Sequence, residues 1–130
     1  MSAFSDMPPE RFLENFYTSF QEEAVFGEEE PGAVIDRYYT PGFVQISDGV
    51  LIDRERLIAH LRPVRKNLES GTYEVKEAMM QGNRIAARLV VHAVMRKGRK
   101  VDTEVYMFGD LSADGRFSRI DQITRTLSED

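Results

Sequence analysis

Arg84-Ile85-Ala86-Ala87-Arg88-Leu89-Val90-Val91-His92-Ala93-Val94-Met95-Arg96 is the stretch that decides the fold. Its alternation predicts a strand with Ala87, Leu89, Val91, Ala93 and Met95 on one face and Arg88, Val90, His92 and Val94 on the other. Gly82-Asn83 precedes it and Lys97-Gly98-Arg99-Lys100 follows it, both turn-forming. The same pattern extends outward to strands at 72–81, 101–112 and 116–127, the last two joined by Ala113-Asp114-Gly115. Connections this short require antiparallel neighbours, so the second half is a meander.

The first half has a different period. Phe12, Leu13, Phe16, Tyr17 and Phe20 recur every three to four residues, giving a core-facing helix to about Val25 with Glu14, Gln21 and Glu22 elsewhere. Asp6, Pro8 and Pro9 form its start signal. Gly27-Glu28-Glu29-Glu30-Pro31-Gly32 is a solvated connector, and a short helix follows at 33–39. Thr40-Pro41-Gly42 stops that helix, and Phe43-Val44-Gln45-Ile46-Ser47 is a strand closed by the turn Asp48-Gly49. Asp53 caps a third helix with Leu57, Leu61, Val64 and Leu68 as its stripe, ended by Gly71. Pro63 inside it should bend or split the helix.

Helices first and a long antiparallel sheet afterwards make an α+β domain, and 130 residues fit one domain. Strands of this length twist and coil, so the sheet should curl around the helices as a half-open barrel enclosing a cavity. Net charge is −5, which disfavours binding to nucleic acid, and no apolar run nears the roughly 20 residues of a membrane span. There is no Cys, which removes disulfides, thiolate nucleophiles and Cys-based zinc sites, and only two His remain. The amino-terminal residues carry no signal-peptide pattern, so a cytoplasmic location is expected. No Gly-x-Ser-x-Gly, Gly-x-Gly-x-x-Gly or phosphate-loop motif is present, and no cofactor is expected. The basic turn at 96–100 reads as a solvated hairpin tip.

Both faces of the 84–96 strand are largely apolar, although one face of a lone sheet should meet water. The expected solution is a homodimer packed sheet to sheet through the outer face. Asp121 and Arg125, four apart, are expected on that dimer or sheet surface. Alternation alone does not say which face is the inner one.

The run Asp36-Arg37-Tyr38-Tyr39-Thr40-Pro41-Gly42-Phe43-Val44-Gln45-Ile46-Ser47-Asp48-Gly49, the helix after it and Asp114-Gly115-Arg116-Phe117-Ser118-Arg119-Ile120-Asp121 resemble the NTF2-like superfamily, especially its SnoaL-like members. The resemblance covers nearly the whole chain. It implies a cone-shaped α+β barrel, usually dimeric, with a pocket between the helices and the concave sheet. This fold hosts isomerases, cyclases, dehydratases, epoxide hydrolases and non-enzymatic modules. Matching Gly115-Arg116-Phe117 to the Gly-Arg-Ile of ketosteroid isomerases sets Glu104 where those enzymes have a protonated oxyanion-hole aspartate. By the same match Arg88, His92, Tyr106, Gln122 and Thr124 would line the pocket. The isomerase's general-base position is Ile46 here, and its first-helix tyrosine has no secure counterpart, so steroid isomerisation is not expected.

Glu104 supports two opposite readings. Burial would raise its pKa and make it a proton donor or base near neutral pH, whereas an ion pair with Arg88 would lower it. His92 reads either as a proton shuttle or as a hydrogen-bonded wall residue, and Arg88 either as an anion or enolate holder or as the partner of Glu104. His60 reads as a boundary residue, and no recognised spacing joins His60, His92 and Glu104 into a metal site. Phe16, Phe20, Tyr38 and Tyr39 read as core, with Phe20 and Tyr38, near the cone mouth, in reach of a ligand. Tyr106, Phe108, Gln122, Thr124 and Ile46 complete the expected ligand wall. The expected ligand is a small apolar or carbonyl-containing molecule, acted on by acid–base chemistry of Glu104, His92 and Arg88 or bound without turnover.

Overall fold

The computed structural model describes residues 7–129. Helix α1 (Pro9–Ala24) begins with proline at its first position, where a missing N–H costs nothing. The expected cap at Asp6 lies outside the described residues. Leu13 and Phe16 are buried on its stripe, and so is Gln21, contrary to its expected place off that stripe. The Gln21 side chain donates to the Gly71 carbonyl at 2.8 Å and accepts from the Tyr73 hydroxyl at 3.1 Å, so its burial leaves no amide group unpaired.

Helix α2 (Pro31–Tyr38) passes directly into strand β1 (Tyr39–Ser47), so Thr40-Pro41-Gly42 lies inside a strand rather than in a stop. Asp48-Gly49 then turns the chain into β2 (Val50–Asp53), a short strand that alternation over four residues did not announce. Helix α3 (Arg54–Asn67) starts at the expected cap, with the Asp53 carboxylate accepting from the Arg56 N–H at 2.9 Å. It continues through Pro63 as one helix and stops before Gly71. Gly71 instead sits in β3 (Leu68–Gln81), where a Cβ would overlap the Gln21 side chain.

Strands β4 (Arg84–Met95), β5 (Lys100–Leu111) and β6 (Phe117–Glu129) complete the antiparallel meander. A parallel pairing of β1 with β6 joins the two halves in a six-stranded mixed sheet of order β2-β1-β6-β5-β4-β3. The sheet is curled and unclosed, with β2 and β3 at its edges. Its concave face holds the core: Ile85 and Leu89 of β4, Val105, Met107 and Leu111 of β5, and Phe117 and Ile120 of β6 pack with Leu13 and Phe16 of α1 and Val34 and Ile35 of α2. Phe16 is the hub, meeting Tyr17, Tyr38, Tyr39 and Phe117 edge-on.

Candidate functional site

Register settles which face is which. Leu89 opposes Val105, and Met107 opposes Gln122, so these side chains point into the cone. Arg88 opposes Tyr106 and Val90 opposes Glu104, one residue out of step and therefore on the convex face. The expected pocket is corrected here: Arg88, His92, Glu104, Tyr106 and Phe108 face away from the helices, whereas Gln122 and Thr124 face toward them. Ile46 also lies outside, beside Tyr106, Phe108 and Ile123. Phe20 and Tyr38 pack against each other at 5.3 Å within the aromatic cluster under the helices. Tyr38 donates its hydroxyl to Glu23, and burial with this bond pushes its pKa up to about 12.

On the convex face, Glu104 is 5% exposed although no helix covers it. Arg125 donates to it at 2.8 Å and Arg88 at 3.5 Å. Burial pushes the Glu104 pKa up, but hydrogen bonds and charge from the guanidinium groups outweigh it and hold the carboxyl below its ordinary value. Of the two readings of Glu104, the ion pair is the one realised. Arg88 also reaches Glu77 at 3.6 Å, which leaves it little freedom to hold an anion. His92 lies between Asp102, 2.7 Å from Nδ1, and Glu74, 3.1 Å from Nε2. Asp102 first, then Glu74, raises the His92 pKa. Arg125 is on this face as expected, and so is Asp121, which pairs with Arg119 at 2.9 Å.

The concave side carries a different site. A cleft of about 600 Å³ opens between α3 and the β2-β1-β6 end of the sheet. Gln45 and Ser47 of β1, Ile52 of β2 and Gln122 of β6 form one wall, and Arg56, Leu57, Ala59 and His60 of α3 form the other. Residues 56, 57 and 60 fall on one helical face through their three- and four-residue spacing. The Gln122 amide donates to the Ser47 hydroxyl at 3.0 Å. Behind this wall Asp48 ties the β1–β2 turn to β6, accepting from the Thr124 N–H at 2.8 Å and hydroxyl at 2.5 Å. The Thr124 hydroxyl is the larger of the causes that lower the Asp48 pKa. Thr124 is thus a brace for the cleft, and Gln122 is the expected ligand residue that lines it.

Gln45, Ser47, Ile52 and Arg56 escaped sequence reasoning. Their signal was available in β1, where Gln45 and Ser47 alternate with Ile46 and must share the face opposite to it. His60 sits at the cleft rim, exposed, which agrees with a boundary position. The lining contains an imidazole, a guanidinium, a hydroxyl and two amides but no carboxylate. Among the described residues, no group of three or more His, Asp or Glu is arranged to hold a metal ion. No described helix is long and apolar enough to cross a membrane.

Comparison with known proteins agrees with the fold. An uncharacterized protein of Schizosaccharomyces pombe is 30% identical over 90 residues, covering 69% of this chain and 68% of its own. A conserved protein of Planctomyces limnophilus superposes with a TM-score of 0.67 at 12% identity, over 91% of this chain and 97% of its own. An epoxide hydrolase of M. tuberculosis superposes with a TM-score of 0.66 at 15% identity, over 90% and 82% of the two chains. The sequence model of the SnoaL-like domain matches residues 13–120, from the first turns of α1 into β6. The chain belongs to the SnoaL-like domain family.

Proposed function

We propose that the cleft between α3 and the β2-β1-β6 wall binds a small, mostly apolar molecule bearing carbonyl or hydroxyl oxygens. One observation carries this reading: Gln45, Ser47 and Gln122 face a cleft whose other lining residues are the apolar Ile52, Leu57 and Ala59 with Arg56 and His60. A concave, mainly apolar surface with a few placed hydrogen-bonding groups is what small-molecule recognition requires. The two amides and the hydroxyl can each donate to a ligand oxygen, and His60 is the lining side chain able to accept or return a proton. Acid–base work, if the bound molecule is turned over, falls to His60 in this reading. Glu104, His92 and Arg88 stand on the other side of the sheet and are held in ion pairs there.

The test is an amide-resolved NMR titration with 2-acetonaphthone, a two-ring ketone. The expected shifts fall on Gln45, Ser47 and Gln122, and Gln122→Leu weakens them without altering the fold. Shifts confined to Tyr106, Phe108 and their neighbours would overturn the reading.

The convex face supports a second element of the proposal, a homodimer. Met79, Tyr106, Phe108 and Ile123 are exposed there, and Arg88, Glu77, Asp121 and Arg125 alternate in sign around them. Such a patch suits a self-complementary contact. Sedimentation velocity at micromolar concentration checks it, and a monomer at all concentrations rejects it.

A further inference from the structure

The charged groups of the cleft narrow the chemistry of its ligand. Arg56 is the lining guanidinium, and among the described residues its side chain makes one hydrogen bond, to the Leu51 carbonyl at 3.3 Å. Two neighbouring acids are engaged elsewhere: Asp53 accepts from the Arg56 backbone N–H, and Asp36 binds Arg54 at 2.9 Å. Glu55 is turned to Arg54 at 3.5 Å. No carboxylate of the described residues therefore neutralises the Arg56 side chain; Arg11, Arg62, Arg65 and Arg96 likewise take part in no ion pair among the described residues, but of these five only Arg56 lines the cleft.

A second observation is independent of the first. Helix α3 carries Arg54, Arg56, Arg62, Arg65 and Lys66 against Glu55 alone. The chain as a whole has a net charge of −5. The helix that roofs the cleft is thus a local cationic surface on an acidic protein, and such a field raises the concentration of anions at the cleft mouth.

We infer that the cleft receives an organic carboxylate, with the Arg56 guanidinium at the anionic end and Ile52, Leu57 and Ala59 against the apolar body. This rests on the proposed ligand-binding reading of the same cleft. Guanidinium matches a carboxylate with paired N–H donors, and Gln45, Ser47 and Gln122 add neutral donors without repelling the charge. The apolar side chains select an organic anion over an inorganic one, because inorganic phosphate has nothing to bury against them.

The probes are 2-naphthoate and 2-acetonaphthone, alike in shape and different in charge, titrated into the full chain and followed by calorimetry and amide-resolved NMR. The expected result is about fivefold tighter binding of the naphthoate in low salt, an advantage that shrinks as salt is added. Arg56→Gln removes that advantage, so that the two probes then bind with equal affinity, and the backbone spectrum shows an intact fold. Arg62→Gln, the same charge change outside the lining, keeps most of it. Equal affinity of the two probes at the cleft overturns the carboxylate inference and leaves the ligand-binding reading standing. Naphthoate shifts centred on Arg88 and Arg125, or its displacement by equimolar inorganic phosphate, also overturn the inference. If neither probe shifts Gln45, Ser47 or Gln122, both readings fall together.

Discussion

The two faces of the curled sheet use the same alternating strands to opposite ends. On the concave face, apolar side chains meet helices and the few polar ones, Gln45, Ser47 and Gln122, gather at the open end beside α3. On the convex face, apolar side chains remain exposed while charged ones are ordered among themselves, with Glu104 held by Arg88 and Arg125 and His92 held by Asp102 and Glu74. A buried carboxylate is therefore no guide to a pocket. Long guanidinium side chains can desolvate a carboxylate on an open sheet face as thoroughly as a cavity does, and they lower its pKa where a dry cavity would raise it.

The core of the concave face should be the most sensitive to change. Phe117 is fully buried and stands edge-on to Phe16 at 4.9 Å. Phe117→Ala should cost about 3–5 kcal/mol in chemical unfolding, with cooperativity retained. Its neighbour Gly109 leaves room for the ring, and a Cβ there would overlap the Phe117 side chain. Gly109→Ala should accordingly destabilise by about 1–3 kcal/mol, because a rigid aromatic ring has nowhere to move.

The convex face should respond through charge. Glu104→Gln leaves Arg88 and Arg125 without their common partner and should lower the urea midpoint by roughly 1 M. A variant as stable as the parent would show that the ion pair is dispensable and would return Glu104 to candidacy for chemistry. Phe108→Lys, by contrast, replaces an exposed ring and should change stability by less than about 0.5 kcal/mol. Its expected effect is on self-association, lost in sedimentation velocity if the convex face is the dimer contact.

The smallest effect belongs to His92. Its pKa is raised in the folded protein by Asp102 and Glu74, relative to an unfolded value of about 6.5. Its contribution to stability is then fully present below about pH 6.5 and is lost as pH rises through the higher folded value. Between pH 6 and pH 8 the wild-type urea midpoint should fall, and His92→Gln should flatten that fall. An identical slope in both proteins would mean that solvent screens the contacts of this half-exposed ring.

The meander was legible in the sequence because Gly82-Asn83 and Ala113-Asp114-Gly115 make connections too short for anything but antiparallel neighbours. The α3 cap at Asp53 was legible for an equally local reason, as its carboxylate needs only an N–H three residues ahead. The candidate site was read less well. Gln122 was expected to line a pocket and does line the cleft, but Glu104, Arg88 and His92 were expected beside it and lie on the opposite face. Residues such as Gln45, Ile52 and Arg56 come from three elements, and nothing in their spacing along the chain announces that they meet.

By itself, then, the chain determined its elements other than the short β2, their order, the curl of its long strands and its family resemblance, since each depends on periodicity, turn chemistry or motif order within short stretches. Only the tertiary structure decided which face of the sheet is concave, because β4 is apolar on both faces and its alternation is satisfied equally well either way round. That choice is made by packing: Leu89, Val105 and Met107 lie against the helices, and every residue one step out of register with them is carried to the opposite side.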